Sequence, residues 1–320
     1  MSRVMKSKKQ TVLVVNAFHQ ETLDKLDLIY TTEHLWKLPA SEKPALIKTL
    51  NGRCRAAASA SWECDHLTYQ LESLQLIAAF GVGVDGIDFK QTDSHGIRVT
   101  NTPDVLNDAV ADLAMALLLA TTRDMINADK FVRHDEWRVG AFPFGSGLTG
   151  KTLGILGMGR IGAAIARRAL PFNLKLAYHN RYPKDFPYPY FTSVEALAEA
   201  SDILLCVLPG GAATENIVNA SVLSKLGSQG VFINVGRGSS VDETALAVAL
   251  ANGTIKAAGL DVYKHEPHVP KALQTLDNVV LMPHIGSATV ETRLAMGDLV
   301  LKNLEAYFAD RPLLTEVNVI

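Results

Sequence analysis

The chain has 320 residues, 48% of them hydrophobic and 20% charged, with a formal net charge of -2. That length and apolar content support a large core divided over two domains, and the near-neutral balance gives no electrostatic footing for nucleic acid or an anionic membrane. The three cysteines, Cys54, Cys64 and Cys206, form no Cys-x-x-Cys pair, which argues against a disulfide scaffold or a cysteine metal site and for packed thiols.

The first ten residues, MSRVMKSKKQ, are basic and run directly into TVLVV. That apolar run is too short for a signal-peptide core or a membrane span, so a frayed terminus and a cytoplasmic protein are expected. Strands are predicted at 11–16, 76–80 and 97–100. The alanine-rich and polar stretches between the first two suit short helices, and the alternation reads as a small parallel α/β domain. Residues 104–122, DVLNDAVADLAMALLLATT, form a helix apolar around most of its surface, a pattern expected at a contact between domains or subunits. Turns follow at 140–150. Strands are then predicted at 151–156, 174–178, 203–208, 231–235, 257–260 and 279–282, with helices at 161–169, 194–200, 221–226 and 243–252 between them. Strands alternating with helices predict a doubly wound parallel sheet. A last amphipathic helix over 289–310 is expected to cross back to the first domain and make it discontinuous.

The segment TLGILGMGRIG carries Gly157, Gly159 and Gly162 in the Gly-x-Gly-x-x-Gly spacing, between an apolar strand and the helix AAIARRAL. Gly157 would allow the tight turn, Gly159 the close approach of a pyrophosphate, and Gly162 the packing of helix on strand. The helix N-terminus offers unpaired N–H groups to phosphate. The next strand ends in Tyr178-His179-Asn180-Arg181, where an NAD site would place a carboxylate for the ribose hydroxyls. Arg181, with Lys184 beyond it, suits a ribose 2'-phosphate instead, so NADPH/NADP+ is the expected cofactor. The cofactor site is taken to comprise Gly157, Met158, Gly159, Arg160, Ile161, Gly162, His179, Asn180, Arg181, Val235 and Asp261.

Ligands of a doubly wound sheet bind beyond the carboxyl ends of its strands. Three later strands run there into NVGRG with Arg237, into GLD with Asp261 followed by Glu266, and into MPHIG with His284. Arg237 can hold a carboxylate and polarise an adjacent carbonyl. His284 can exchange the proton of an alkoxide, with Glu266 to orient it and stabilise its charge. Asp261 is placed near the nicotinamide. No Gly-x-Ser-x-Gly elbow occurs, and His265 and His268 lack a zinc-enzyme pattern, so no metal is expected.

Taken with GVGVD at Gly81 to Asp85, HEP at His265 to Pro267 and PHIGSAT at Pro283 to Thr289, these motifs make the chain resemble the D-2-hydroxyacid dehydrogenase family over nearly its whole length. Within it, the chain is most similar to glyoxylate/hydroxypyruvate reductases and plant-type hydroxyphenylpyruvate reductases. The resemblance implies two Rossmann-like domains, a substrate-binding domain from 1–103 and 286–320 and a dinucleotide-binding domain from 104–285. It implies that backbone groups of Val82 and Gly83 receive the substrate carboxylate, that Arg237 binds substrate, that His284 is the acid/base and that Glu266 pairs with it. Arg160 would lie near the pyrophosphate. The implied reaction is reduction of a small 2-keto acid, or oxidation of a 2-hydroxy acid, in a homodimer. An aryl pyruvate is the alternative substrate, and a dinucleotide-sensing interaction protein the alternative of another class. Trp62, Trp137, Phe142 and Phe144 are candidates to narrow or cover the pocket.

Overall fold

The computed structural model describes residues 9–60 and 62–317, so residues 1–8 of the basic start, expected to fray, lie outside the described residues. The chain divides into two compact units, Met1–Leu106 with Thr289–Ile320, and Asn107–Ala288.

The first unit contains β1 (Thr11–Val14), α1 (Gln20–Ile29), β2 (Thr31–His34), α2 (Lys43–Leu50), β3 (Cys54–Ala60), β4 (Leu76–Phe80), α3 (Phe89–His95) and β5 (Arg98–Thr100). Its strands pair in parallel in the order β2-β1-β3-β4-β5. The alanine-rich stretch expected to be helical is instead the central strand β3. Alanine favours helix intrinsically, but β3 is enclosed between β1 and β4, and Ala56, Ala57, Ala58 and Ala60 are fully buried. Small side chains suit a strand covered on both faces, and burial overrides local propensity. Leu13, Leu35, Ile47, Leu50, Ile77 and Val99 form part of the core around it. The C-terminal helix, Val290–Phe308, packs on β4 and α1 of this unit, so the unit is discontinuous as expected. A Cβ at Gly297 would fall 2.0 Å from Thr22 Oγ1, which is why this helix can lie so close to α1.

The second unit runs through α4 (Asn107–Thr122), α5 (Met125–Arg133), β6 (Thr152–Leu156), α6 (Arg160–Ala169), β7 (Lys175–His179), α7 (Val194–Glu199), β8 (Ile203–Cys206), α8 (Ala220–Leu226), β9 (Val231–Asn234), α9 (Glu243–Ala251), β10 (Ala257–Leu260), α10 (Lys271–Gln274) and β11 (Val279–Leu281). The parallel sheet has the order β11-β10-β9-β8-β6-β7, and a further parallel bridge joins Tyr178 to Tyr190 beyond β7. The order reverses between β6 and β8, and the crevice at such a switch point is where doubly wound sheets take their ligands.

The apolar helix α4 packs inside this unit against α6, β9 and β10, which buries much of its apolar surface. Gly259 of β10 makes room for it: a Cβ there would lie 2.5 Å from Thr121 Oγ1 and 2.8 Å from Leu117 Cγ. The apolar runs at 203–208 and 231–235 outlast their strands. Val207, Leu208 and Val235 leave the ladder, and the first two pack beneath glycines of the ligand-facing loops. Cys54 and Cys206 are buried free thiols, and Cys64 is a partly buried one. Among the described residues, no helix is long and apolar enough to cross a membrane.

Candidate active site

The three glycines of the turn after β6 are required for three different reasons. Gly157 has φ +107, and a Cβ would come within 3.0 Å of the Val207 carbonyl oxygen. A Cβ at Gly162 would lie 2.4 Å from the Gly157 carbonyl oxygen, so this glycine lets α6 press on the turn. At Gly159 a Cβ would meet nothing within 4 Å, and the backbone is ordinary, with φ -96 and ψ -157. The protein itself has no need of glycine there. The open space lies beside the first turn of α6, whose N–H groups lack intrahelical acceptors, as a cradle for a diphosphate requires.

The end of β7 is tied to that turn. The Asn180 side chain accepts from Met158 N–H at 2.6 Å and donates to the Met158 carbonyl at 3.2 Å, and Gly157 N–H donates to the His179 carbonyl at 3.0 Å. Asn180 therefore acts on the turn's backbone, a role its residue type alone did not disclose. His179 Nδ1 donates to the Phe191 carbonyl at 2.8 Å, and its ring lies nearly parallel to that of Tyr190. With Nδ1–H committed, Nε2 is the nitrogen left to meet a ligand. Arg181 follows, exposed, and no acidic side chain occupies residues 178–184.

His284, Glu266, Asp261 and Arg237 are brought together by the loops after β9, β10 and β11. His284 Nδ1 meets Glu266 Oε2 at 2.6 Å, while Glu266 Oε1 accepts from Tyr263 N–H at 2.9 Å. Burial pushes the Glu266 carboxyl up. The His284 hydrogen bond, the Tyr263 amide and the charges of His284 and Arg237 outweigh that and hold it below the usual range. An ionised Glu266 accepts, so Nδ1 carries the hydrogen and Nε2 is the nitrogen that exchanges a proton. The His284 side chain is 36% exposed, enough to meet a ligand.

Asp261 is 1% exposed, and its two carboxylate oxygens accept the N–H groups of Ile285 and Gly286, each at 2.8 Å. Its own carbonyl accepts His284 N–H at 2.8 Å. Burial pushes the Asp261 carboxyl up, against the pull of the two amides and the His284 charge. His284 has φ +53, a left-handed conformation that a residue with a Cβ holds only when its surroundings impose it. Asp261 is the group that imposes it.

Arg237 stands on an equally constrained loop. Asn234, 1% exposed, accepts from Gly236 N–H at 3.0 Å and donates to the Arg237 carbonyl at 3.0 Å. A Cβ at Gly238 would sit 1.8 Å from the Tyr263 carbonyl carbon, so the loops bearing Arg237 and Glu266 are in backbone contact.

In the first unit, Val82 and Gly83 lie in the turn after β4. Gly81 N–H donates to Thr102 Oγ1 at 2.9 Å, Thr102 N–H returns to the Gly81 carbonyl at 2.8 Å, and Asn101 Nδ2 donates to the Val82 carbonyl at 2.8 Å. The strand predicted at 97–100 stops just short of Asn101, and the sequence alone assigns that residue no role. An amide side chain just past a neighbouring strand end was the available signal. Of the aromatic candidates, Trp62 is half exposed and Trp137 largely exposed. Phe142 packs edge-on against Phe131 with ring centroids 5.3 Å apart. Phe142 and Phe144 line a hollow of about 460 Å³ with Leu119, Arg123 and Met125, which shares no lining residue with the glycine turn or with His284.

A dinucleotide cradle at a sheet switch point, with a carboxylate-paired histidine and an arginine at neighbouring strand ends, defines a nicotinamide-dependent oxidoreductase of the doubly wound class. The sequence profile described as D-isomer specific 2-hydroxyacid dehydrogenase, NAD binding domain, matches residues 115–286. The chain is 45% identical over 297 residues to glyoxylate/hydroxypyruvate reductase A HPR2 of Arabidopsis thaliana, covering 92% of this chain and 94% of that protein. It is 43% identical over 309 residues to hydroxyphenylpyruvate reductase of Plectranthus scutellarioides, covering 95% and 96%. Its fold matches the crystal structure of an NADPH-dependent glyoxylate/hydroxypyruvate reductase from Sinorhizobium meliloti in complex with NADP and malonate, with TM-score 0.88, 43% identity and 97% of each chain covered. The chain belongs to the family of NAD(P)-dependent D-2-hydroxyacid dehydrogenases.

Proposed function

We propose that this protein is an NADPH-dependent reductase of small 2-keto acids, converting glyoxylate to glycolate and hydroxypyruvate to D-glycerate. The observation that carries the chemistry is the His284–Glu266 pair at 2.6 Å with Asp261 bonded to the residues that follow His284. The dinucleotide, when bound, supplies the hydride for the 2-keto carbon. The cradle at Gly159 and the first turn of α6, held by Asn180, would seat its diphosphate, with Arg160 beside it. Met158, Ile161, Val235 and Asp261 complete the proposed cofactor contacts. His284 gives its Nε2 proton to the carbonyl oxygen as negative charge develops there, and Glu266 stabilises the imidazolium and keeps Nδ1 protonated. Arg237 holds the keto acid and polarises its carbonyl. Val82 and Gly83 receive its carboxylate through backbone N–H groups. Met1–Leu106 with Thr289–Ile320 is thus assigned substrate binding, and Asn107–Ala288 cofactor binding.

The preference for NADPH rests on what stands at the end of β7. A carboxylate there would hold the ribose hydroxyls of NADH and repel a 2'-phosphate. His179 and Arg181 do neither, and Arg181 offers a fork of donors to phosphate. Relatives named for glyoxylate and hydroxypyruvate support the small substrates. We further assign a cytoplasmic location and a homodimer, whose surface is the exposed apolar stretch of α5 and the arm after it, including Met125, Ile126, Val132, Trp137 and Val139.

A panel of glyoxylate, hydroxypyruvate, pyruvate and 4-hydroxyphenylpyruvate, each with NADPH and NADH, tests the assignment. The highest kcat/KM is expected for the two small polar acids with NADPH. Preference for the aryl acid would transfer the protein to the other reductase type. Tight NADPH binding without turnover of any keto acid would make it a dinucleotide sensor. Arg181→Ala should erase most of the NADPH preference, and an unchanged ratio of the two cofactors would remove Arg181 from that role.

A further inference from the structure

A polar chain runs through the first unit from the C-terminal helix to the turn at Val82. It begins at Asn303, fully buried on the C-terminal helix among Val300, Leu301, Leu304 and Ala306 of the same buried face. Asn303 Oδ1 accepts the N–H groups of Leu314 and Thr315 at 3.0 and 3.3 Å, and Nδ2 donates to the Leu299 carbonyl and to Thr315 Oγ1, both at 2.9 Å. Thr315 Oγ1 in turn donates to the Asn101 carbonyl at 2.6 Å, and Asn101 N–H donates to the Thr315 carbonyl at 3.2 Å. Asn101 Nδ2 then donates to the Val82 carbonyl at 2.8 Å. An antiparallel bridge between Thr100 and Glu316, and Val317 N–H on the Val99 carbonyl, hold the same C-terminal segment alongside β5.

The last bond of the chain has a consequence for the turn. The Val82 carbonyl and the Gly83 N–H belong to one peptide unit, and in a trans peptide they point in opposite directions. A donor fixed on the Val82 oxygen therefore fixes the direction of the Gly83 N–H. Without that donor the unit is free to rotate, because the residue after it is glycine and tolerates most values of φ. A rotated unit would turn the Val82 carbonyl oxygen toward an incoming carboxylate and repel it.

We propose that Asn101 is a positioning residue for substrate binding, aiming the Gly83 N–H at the substrate carboxylate, and that Asn303 and Thr315 set its pose. This rests on the assignment of Val82 and Gly83 to the carboxylate. The clamp acts on substrate binding and leaves proton transfer at His284 untouched.

The full-length enzyme with NADPH tests it. Asn101→Ala should raise KM for glyoxylate about tenfold. The Ki of oxamate, an unreactive acid with the same carbonyl next to its carboxylate, should rise in parallel. The change in kcat should stay within about threefold, with the NADPH Kd and the pH profile unchanged. Thr315→Val should give the same split more weakly, and Thr315→Ser, which keeps the hydroxyl, should restore it. A general loss of packing would instead move kcat, cofactor affinity and Tm together, and would overturn the proposal. Wild-type KM and Ki in Asn101→Ala would also overturn it. The underlying assignment is tested separately by 15N-glycine labelling. If the Gly83 amide of the wild type does not shift when oxamate binds, the carboxylate turn is misassigned. If it shifts, and Asn101→Ala leaves both that shift and KM unchanged, the turn stands and the clamp falls.

Discussion

Asp261→Asn is the sharpest single test of how His284 is held. The carboxylate serves two backbone N–H groups at 2.8 Å each from a site 1% exposed. Asparagine keeps one acceptor oxygen and turns an amide N–H₂ toward the other donor. One charge-assisted bond is lost, worth about 1.5–3 kcal/mol, and a buried N–H is left without an acceptor at a further cost of about 1–3 kcal/mol. Relief of the buried charge, whose cost shows in the raised carboxyl, offsets part of this. A net loss of about 2 kcal/mol follows, or roughly 4–8 °C in Tm for a folded unit of this size. The loosened turn also frees His284 from its left-handed backbone, and misplacing a proton donor by about 1 Å costs on the order of a hundredfold in rate. Differential scanning fluorimetry and steady-state kinetics at saturating NADPH should therefore show a lower Tm and a kcat reduced tenfold or more. A variant with wild-type Tm and kcat, weakened only in NADPH affinity, would refute the reasoning and make Asp261 a cofactor ligand alone.

Three further outcomes follow from the site. Folding lowers the Glu266 carboxyl below its usual 4.5, so its contribution to stability is complete above pH 4.5 and is lost as pH falls through the lower folded value. The Tm difference between wild type and Glu266→Gln should accordingly shrink as the pH falls below 4.5; a difference that widens there contradicts the sign. Gly159→Ala, with open space over its Cβ, should keep the wild-type Tm and lose NADPH affinity. Gly162→Ala, facing a carbonyl oxygen at 2.4 Å, should lose several degrees of Tm, and equal behaviour of the two would remove the distinction. For the proposed homodimer, Trp137→Glu with Val139→Glu should shift the mass measured by light scattering from dimer to monomer without unfolding the chain; an unchanged dimer mass would place the contact elsewhere, and a monomeric wild type would remove the assignment.

Much of this protein is readable in one dimension. The alternation of strands and helices, the spacing of Gly157, Gly159 and Gly162, and polar residues at the ends of apolar runs are local signals. They follow from the two periodicities of regular structure and from rules at a single turn. Arg237, Glu266 and His284 were legible for that reason, each standing at the end of a strand. Where local preference and burial disagree, the sequence points the wrong way: the alanine-rich β3 looks helical, and its burial between β1 and β4 decides.

What only the tertiary structure discloses is which groups face each other across large sequence separations. Asp261 reads from its place at a strand end as a group near the cofactor, and only the structure adds that its carboxylate holds the backbone of Ile285 and Gly286. Asn180 reads as part of the cofactor site beside Arg181, and only the structure adds that its amide grips the glycine turn 22 residues earlier. Asn101, Thr315 and Asn303 carry no motif at all. Hydrogen bonds between amides and peptide groups depend on distance and direction in space, and no spacing along the chain records them. The residue types and order of this sequence specify two doubly wound sheets and a set of chemical groups at their strand ends. The packing of those sheets decides which groups are left to meet a ligand and which are consumed in holding them there.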